Sequence, residues 1–380
     1  MTVMRRREFP DAMRRSLLLG LLGLPAARAL ALPPITLRFP RDLGSHPDFR
    51  TEWWYVTGQA TSGEGAGARV FGFQLTFFRS RVDATQQMRS RFAARQLLFA
   101  HAALTDVQGK KLWHDQRIAR EGFDVATADT TDTGLRLQDW SLVRRNGVLT
   151  ADLPARDFGL HLTFAETQPL LLQGDQGLSR KGPEPAQASY YYSLPQLAVS
   201  GHVMLKGQRF ELAAGPAQKV GEPPRSVAWL DHEWSQALMH ADAVGWDWIG
   251  MNLDDGSALT AFRLRRGDGS TLWDGGSFRA SPKSSAAGQV FRFSPGEVQF
   301  SPQRHWKSPA SQANYPVEWI VRTPADFYTV KAVLDNQELD SRQSTGAIYW
   351  EGLSELYDSN GRLVGRGYLE MTGYAQRLRL

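Results

Sequence analysis

The chain contains no cysteine. Disulfides, thiolate nucleophiles and thiolate-bound metals are therefore excluded, and packing, hydrogen bonds and ion pairs must hold the fold. Long helical periodicity is nearly missing too; the best helical candidate is the short stretch "MRSRFAARQLLFA" (88–100). No apolar run is long enough to span a bilayer. The eight histidines are scattered, without the i, i+4 pair and glutamate of a zinc protease, so no metal is expected. "LDDGS" (253–257) and "GDGS" (267–270) read as hairpin turns, because the twelve-residue calcium-loop pattern is absent. No phosphate loop, dinucleotide fingerprint or nucleophile elbow occurs, and no cofactor is expected.

Positive charge is also scarcer than the formal +5 suggests. Residues 1–29 carry six arginines and two acidic residues; without them 38 basic residues face 37 acidic ones. No basic stripe follows, which argues against a nucleic-acid partner. The basic start, the apolar "SLLLGLLGLP" and the small-residue "AARA" read instead as an export signal cut after Ala29, and "RRREF" resembles a twin-arginine motif; the alternative is an anchoring N-terminal helix. A periplasmic or secreted mature protein is expected.

What is abundant is alternation. "RVFGFQLTFFRS" sets Phe71, Phe73, Leu75 and Phe77 on one face, and "LFAHAALTDVQGKKLW" reads strand, turn, strand. Asn146–Gly147 inside "WSLVRRNGVLTADLP" is a hairpin signal. Many short strands at regular spacing predict an all-β protein, and its length requires two tandem antiparallel β-barrel domains. The Gly/Pro-rich segment 215–226 suggests the boundary, giving an N-terminal domain over 30–225 and a C-terminal domain over 226–380.

The stretch "AWLDHEWSQALMHADAVGWDWIGMNLDDG" (228–256) gathers four of the twelve tryptophans among ionisable groups. If 245–253 is a strand, Asp247 shares a face with Ile249, Met251 and Leu253 and points into a barrel. Burial there would raise its pKa, as a general acid requires. The alternative is a structural ion pair with Arg263 or Arg265. In an extended "LDHEW", His232 and Trp234 share one face and could line the same lumen as Asp247; the alternative is a satisfied core histidine. Trp246 and Trp248 on the opposite face of their strand, Asp231 on the opposite face of its own, Tyr55 in "EWWY" and His101 in "FAHAAL" are candidate ligand contacts. The "EWWY" aromatics also suit a structural plug at a barrel end.

In order along the chain, "HPDFRTEWWYVTG", "FAHAALTD", "SYYYSLPQLAVSG", "AWLDHEWS", "GWDWIGMNLDDG", "AIYWEGLSEL" and "GRGYLEMTGYA" resemble the AttH-type lipocalin-like family, which includes carotenoid 1,2-hydratase (hydroxyneurosporene synthase). The resemblance covers nearly all of the chain after residue 29. It implies two lipocalin-like barrels. His232 stands where many members carry Arg, and a His two residues before a Trp marks the hydratase branch. On that branch the resemblance implies a hydro-lyase with Asp247 as proton donor, Trp234 stabilising a carbocation and His232 positioning water. The expected ligand is an isoprenoid or lipid. The competing expectation is a non-catalytic carrier of a lipid or other apolar molecule, and a membrane surface or lipid-export complex is the expected partner.

Overall fold

A computed structural model describes residues 31–212, 226–237 and 239–378. The expected export signal and its cleavage site lie outside the described residues, as does most of the 215–226 segment. Residues 31–380 form one compact unit. It contains no α-helix among the described residues, so none is long and apolar enough to cross a membrane. The helix expected at 88–100 does not form. Gln96–Asp106 is a strand, paired on both sides, and tertiary pairing overrides the local pattern.

Two antiparallel sheets make two tandem lipocalin-like domains. The first sheet has 14 strands and the second has 10. At the heart of the first, Thr51–Ser62 lies between Arg69–Arg81 and Val227–Ala237, and Val227–Ala237 pairs in turn with Ala188–Leu205. The first sheet nearly closes on itself: Arg117, on one edge strand, stacks over the Trp140 ring at 4.5 Å and approaches Asp139 at 3.6 Å, near the opposite end of the strand order. The hairpin at Asn146–Gly147 forms as expected, with both residues at positive φ.

Val227–Ala237 lies beyond the boundary expected at 225/226, yet it belongs to the first sheet. The change of sheet falls between Ala237 and Gly245, where the next strand, Gly245–Leu253, enters the second. Turn composition marked a break in the chain, but strand pairing decides the sheet.

Each barrel has its own apolar core. Trp54, Leu75, Phe77, Leu230 and Trp234 belong to the first, and Ile249, Met251, Trp319, Trp350 and Leu369 to the second. A third cluster lies between the sheets, built from their outer faces: Tyr55, Trp229, Trp248, Phe262, Leu353 and Tyr368. That is why strands such as Thr51–Ser62 and Val227–Ala237 are buried on both faces. Gly72 marks a close approach, since a Cβ there would come within 2.8 Å of both Leu353 Cβ and the Tyr368 hydroxyl.

Candidate functional site

Alternation sorts the tryptophan-rich stretch into three environments. Leu230, His232 and Trp234 point into the first barrel, and Asp247, Ile249 and Met251 into the second. Trp229, Asp231, Glu233, Trp246 and Trp248 face the space between the sheets. The three expected catalytic residues are therefore split between two interiors.

Asp247 is fully buried, and both of its oxygens have partners. Arg263 Nε lies 2.7 Å and Arg265 Nε 3.1 Å from Oδ2, while the Tyr374 hydroxyl donates to Oδ1 at 2.9 Å. The structure shows the ion-pair alternative, not a free acid in an apolar lumen.

His232 and Trp234 also belong to a structural network. Glu52 Oε1 accepts from His232 Nε2 at 2.9 Å and His46 Nδ1 at 2.7 Å, and Oε2 accepts from Arg79 Nε at 2.8 Å and the Ser45 hydroxyl at 2.9 Å. Burial acts to raise the Glu52 pKa, but the hydrogen bonds from His232 and His46 and the Arg79 charge outweigh it and hold it below the usual range. Burial lowers His232 to about 4. Neutral His232 can then donate from Nε2 to Glu52 and accept at Nδ1 from the Tyr192 hydroxyl, 3.0 Å away. Trp234 stacks on His46 at 3.8 Å and Trp54 on His232 at 4.4 Å. His46, Glu52 and His232 bring ligand atoms within 4.8 Å of one another, as a metal site would. The Arg79 guanidinium on the same carboxylate is a poor neighbour for a cation, and the existing bonds already use that donor set.

An open cavity lies between the barrels. It is a mainly apolar cavity of about 280 Å³, walled by the outer faces of both sheets. All five residues expected to contact ligand line it: Tyr55, His101 and Asp231 from the first sheet, Trp246 and Trp248 from the second. Trp53, Phe78, Phe99, Tyr191, Phe262 and Tyr349 add aromatic surface. The "EWWY" plug reading holds only for Trp54, which turns inward and donates from Nε1 to the Leu43 carbonyl at 3.2 Å; Trp53 and Tyr55 face the cavity.

Two carboxyls absent from the expected set dominate the cavity's chemistry. Glu351 and Glu370 are direct cross-strand neighbours on Ala347–Tyr357 and Leu363–Met371. Burial first, then the Glu370 charge, pushes Glu351 well above the ordinary carboxylate range. Burial, with Asp231 and Glu233 adding, pushes Glu370 up to about 7. No ion pair reaches either among the described residues. Glu351 is 2 % exposed, and the Tyr55 hydroxyl is its hydrogen-bonding neighbour, which tempers the rise of Glu351 and adds to that of Tyr55. Two buried carboxyls side by side with no cation on either are costly unless something in the cavity uses them.

The other polar groups are better satisfied. Asp231 accepts from the Tyr191 hydroxyl at 2.8 Å, Ser193 at 2.6 Å and Trp229 Nε1 at 2.6 Å, yet burial carries it to about 7. Glu233 pairs with Lys181 at 3.1 Å, whose ammonium also sits over the Phe262 ring. His101 bonds the Tyr349 hydroxyl and Ser344, each at 2.8 Å; burial lowers its pKa to about 3.

These features define a tandem lipocalin-like protein with an aromatic, carboxyl-bearing cavity between its barrels. The chain belongs to the AttH-like family, whose sequence model matches residues 30–374. A Nitrosomonas europaea protein assigned as AttH is 42% identical, with a TM-score of 0.80 over 91% of this chain and 99% of its own. Kievitone hydratase from Nectria haematococca shares the fold at 11% identity, with a TM-score of 0.67 over 90% and 94% of the two chains. The protein CghA, in its complex with Sch210972, is similar at 11% identity, with a TM-score of 0.50 over 91% and 98%. No curated protein matches the chain in sequence.

Proposed function

We propose that the protein takes an apolar alkene into the cavity between its barrels and adds water across a carbon–carbon double bond, or removes it. The observation that carries this reading is the Glu351–Glu370 pair. It presents one carboxyl pushed well above the ordinary range beside one that titrates near 7, in an aromatic cavity whose lysine, Lys181, is paired with Glu233 instead. Raised carboxyl pKa values serve general acid–base chemistry.

In the hydration direction, Glu351 gives its proton to one alkene carbon and the neighbouring carbon becomes cationic. The π-faces of Trp246 and Trp248 stabilise that cation, an effect worth ~2 kcal/mol in a desolvated site. Ionised Glu370 takes a proton from the attacking water as the C–O bond forms. Transfer of that proton from Glu370 to Glu351 restores the pair, so the step balances without a cofactor. The shared fold with kievitone hydratase supports this reading, as does the family resemblance to carotenoid 1,2-hydratase. A cavity of this volume suits a compact isoprenoid or one end of a longer one. Export through residues 1–29 would place the reaction outside the cytoplasm.

The test is incubation with acyclic isoprenoid alkenes and with a bacterial lipid extract, followed by mass analysis of bound and released molecules. Gain or loss of one water by an added compound supports the hydro-lyase. Retention of unchanged lipid with no conversion of any substrate would establish the carrier instead.

A further inference from the structure

We propose that the loop between Arg69–Arg81 and Gln96–Asp106, together with Phe123, docks the protein on an anionic lipid surface. Large apolar side chains cluster there in the open: Phe92 is 66% exposed, Met88 50% and Phe123 43%. The Phe92 and Phe123 rings stack at 5.4 Å. Isolated exposed apolar residues are ordinary, but a stacked pair with a neighbouring Met forms a patch.

The patch is ringed by arginine. Arg120 lies over the Phe123 ring at 4.1 Å and Arg91 over the same ring at 5.3 Å. Arg89 and Arg95 are exposed on the loop, and residues 84–95 contain no acidic residue. The nearby acids are Asp83, paired with Arg81 at 2.6 Å, the half-buried Glu121 and Asp124. Aromatic rings that enter the acyl boundary, with guanidiniums at phosphate level, are the chemistry of an interfacial anchor.

The loop presents these groups in a fixed arrangement. Val82 N–H bonds the Arg95 carbonyl at 2.9 Å, the Thr85 hydroxyl donates to the Ala94 carbonyl at 2.7 Å, and Arg95 Nη2 donates to the Met88 carbonyl at 2.7 Å. The same two strands carry Phe78, Ser80 and Phe99 into the cavity wall. A membrane-held loop at this end would let an apolar molecule pass from lipid to cavity with little exposure to water. The proposal concerns docking alone, so it does not depend on the hydration chemistry.

Vesicle co-sedimentation tests it, with all variants made in the full chain so that residues 1–29 are common to every sample. Wild type should bind phosphatidylglycerol-rich vesicles well above phosphatidylcholine vesicles, and added salt should erase the difference. An R89Q/R91Q variant should lose roughly 25-fold in partitioning, at about fivefold per arginine. F92S should lose at least about tenfold. F327S, which removes another exposed phenylalanine, on the second sheet, should bind like wild type. Unchanged binding by R89Q/R91Q and F92S, or no preference for anionic vesicles, overturns the proposal. So does self-association that F92S abolishes in the absence of vesicle binding, which would make the patch a protein interface.

Discussion

At the scale of single residues, Glu351→Gln is the sharpest probe of the cavity. Gln keeps the size and polarity of the side chain but has no transferable proton. Turnover should fall by ~100-fold or more while a fluorescent apolar probe still binds. Glu370 makes a different prediction through its folded pKa near 7, against 4.5 for an ordinary glutamate. Between those values the folded chain holds a proton that the unfolded chain has released. Raising the pH across that window therefore removes stability, by up to a few kcal/mol. Melting temperatures from pH 5 to pH 8 should fall more steeply for wild type than for Glu370→Gln. Asp247→Asn should behave in the opposite way to a cavity variant. It leaves Arg263 and Arg265 uncompensated and should cost about 3–5 kcal/mol on denaturant unfolding, with turnover per folded molecule unchanged.

At the scale of the strand, alternation tells which residues share a face but not what the face meets. It grouped Asp247 with Ile249 and Met251 correctly and sent them into a barrel. It could not show that Arg263 and Arg265 on the adjoining strand close on the same carboxylate. Tyr55, His101, Asp231, Trp246 and Trp248 were legible because aromatic or ionisable groups sat beside buried strands. Glu351 and Glu370 were not, although both lie inside the motifs "AIYWEGLSEL" and "GRGYLEMTGYA". A glutamate opposite an inward face reads as solvated, and only a second sheet laid against that face makes it buried. The fold was legible from turns and period-two patterning; the site was half hidden because it lies between two outer faces. Gly72 tests that contact between sheets. Gly72→Val would push against Leu353 and Tyr368, costing about 1–3 kcal/mol. It should also weaken probe binding, measurable by titration alongside thermal melting.

At the scale of the whole molecule, the two barrels make a cavity that neither could enclose alone, since its wall takes residues from both sheets. The order of strands in the first sheet adds a constraint on how the chain is made. Val227–Ala237 fills a central position, between Thr51–Ser62 and Ala188–Leu205, although it comes last of that sheet in sequence. Until it emerges from the ribosome, the first barrel is two half-sheets with unpaired backbone edges, the kind of surface that invites aggregation. A fragment ending at residue 225 should therefore be insoluble, whereas one ending at 240 has its full set of strands, though it bares the outer aromatics; comparing their soluble yields checks this. The N-terminal half must wait, unfinished, for the first strand beyond its apparent border.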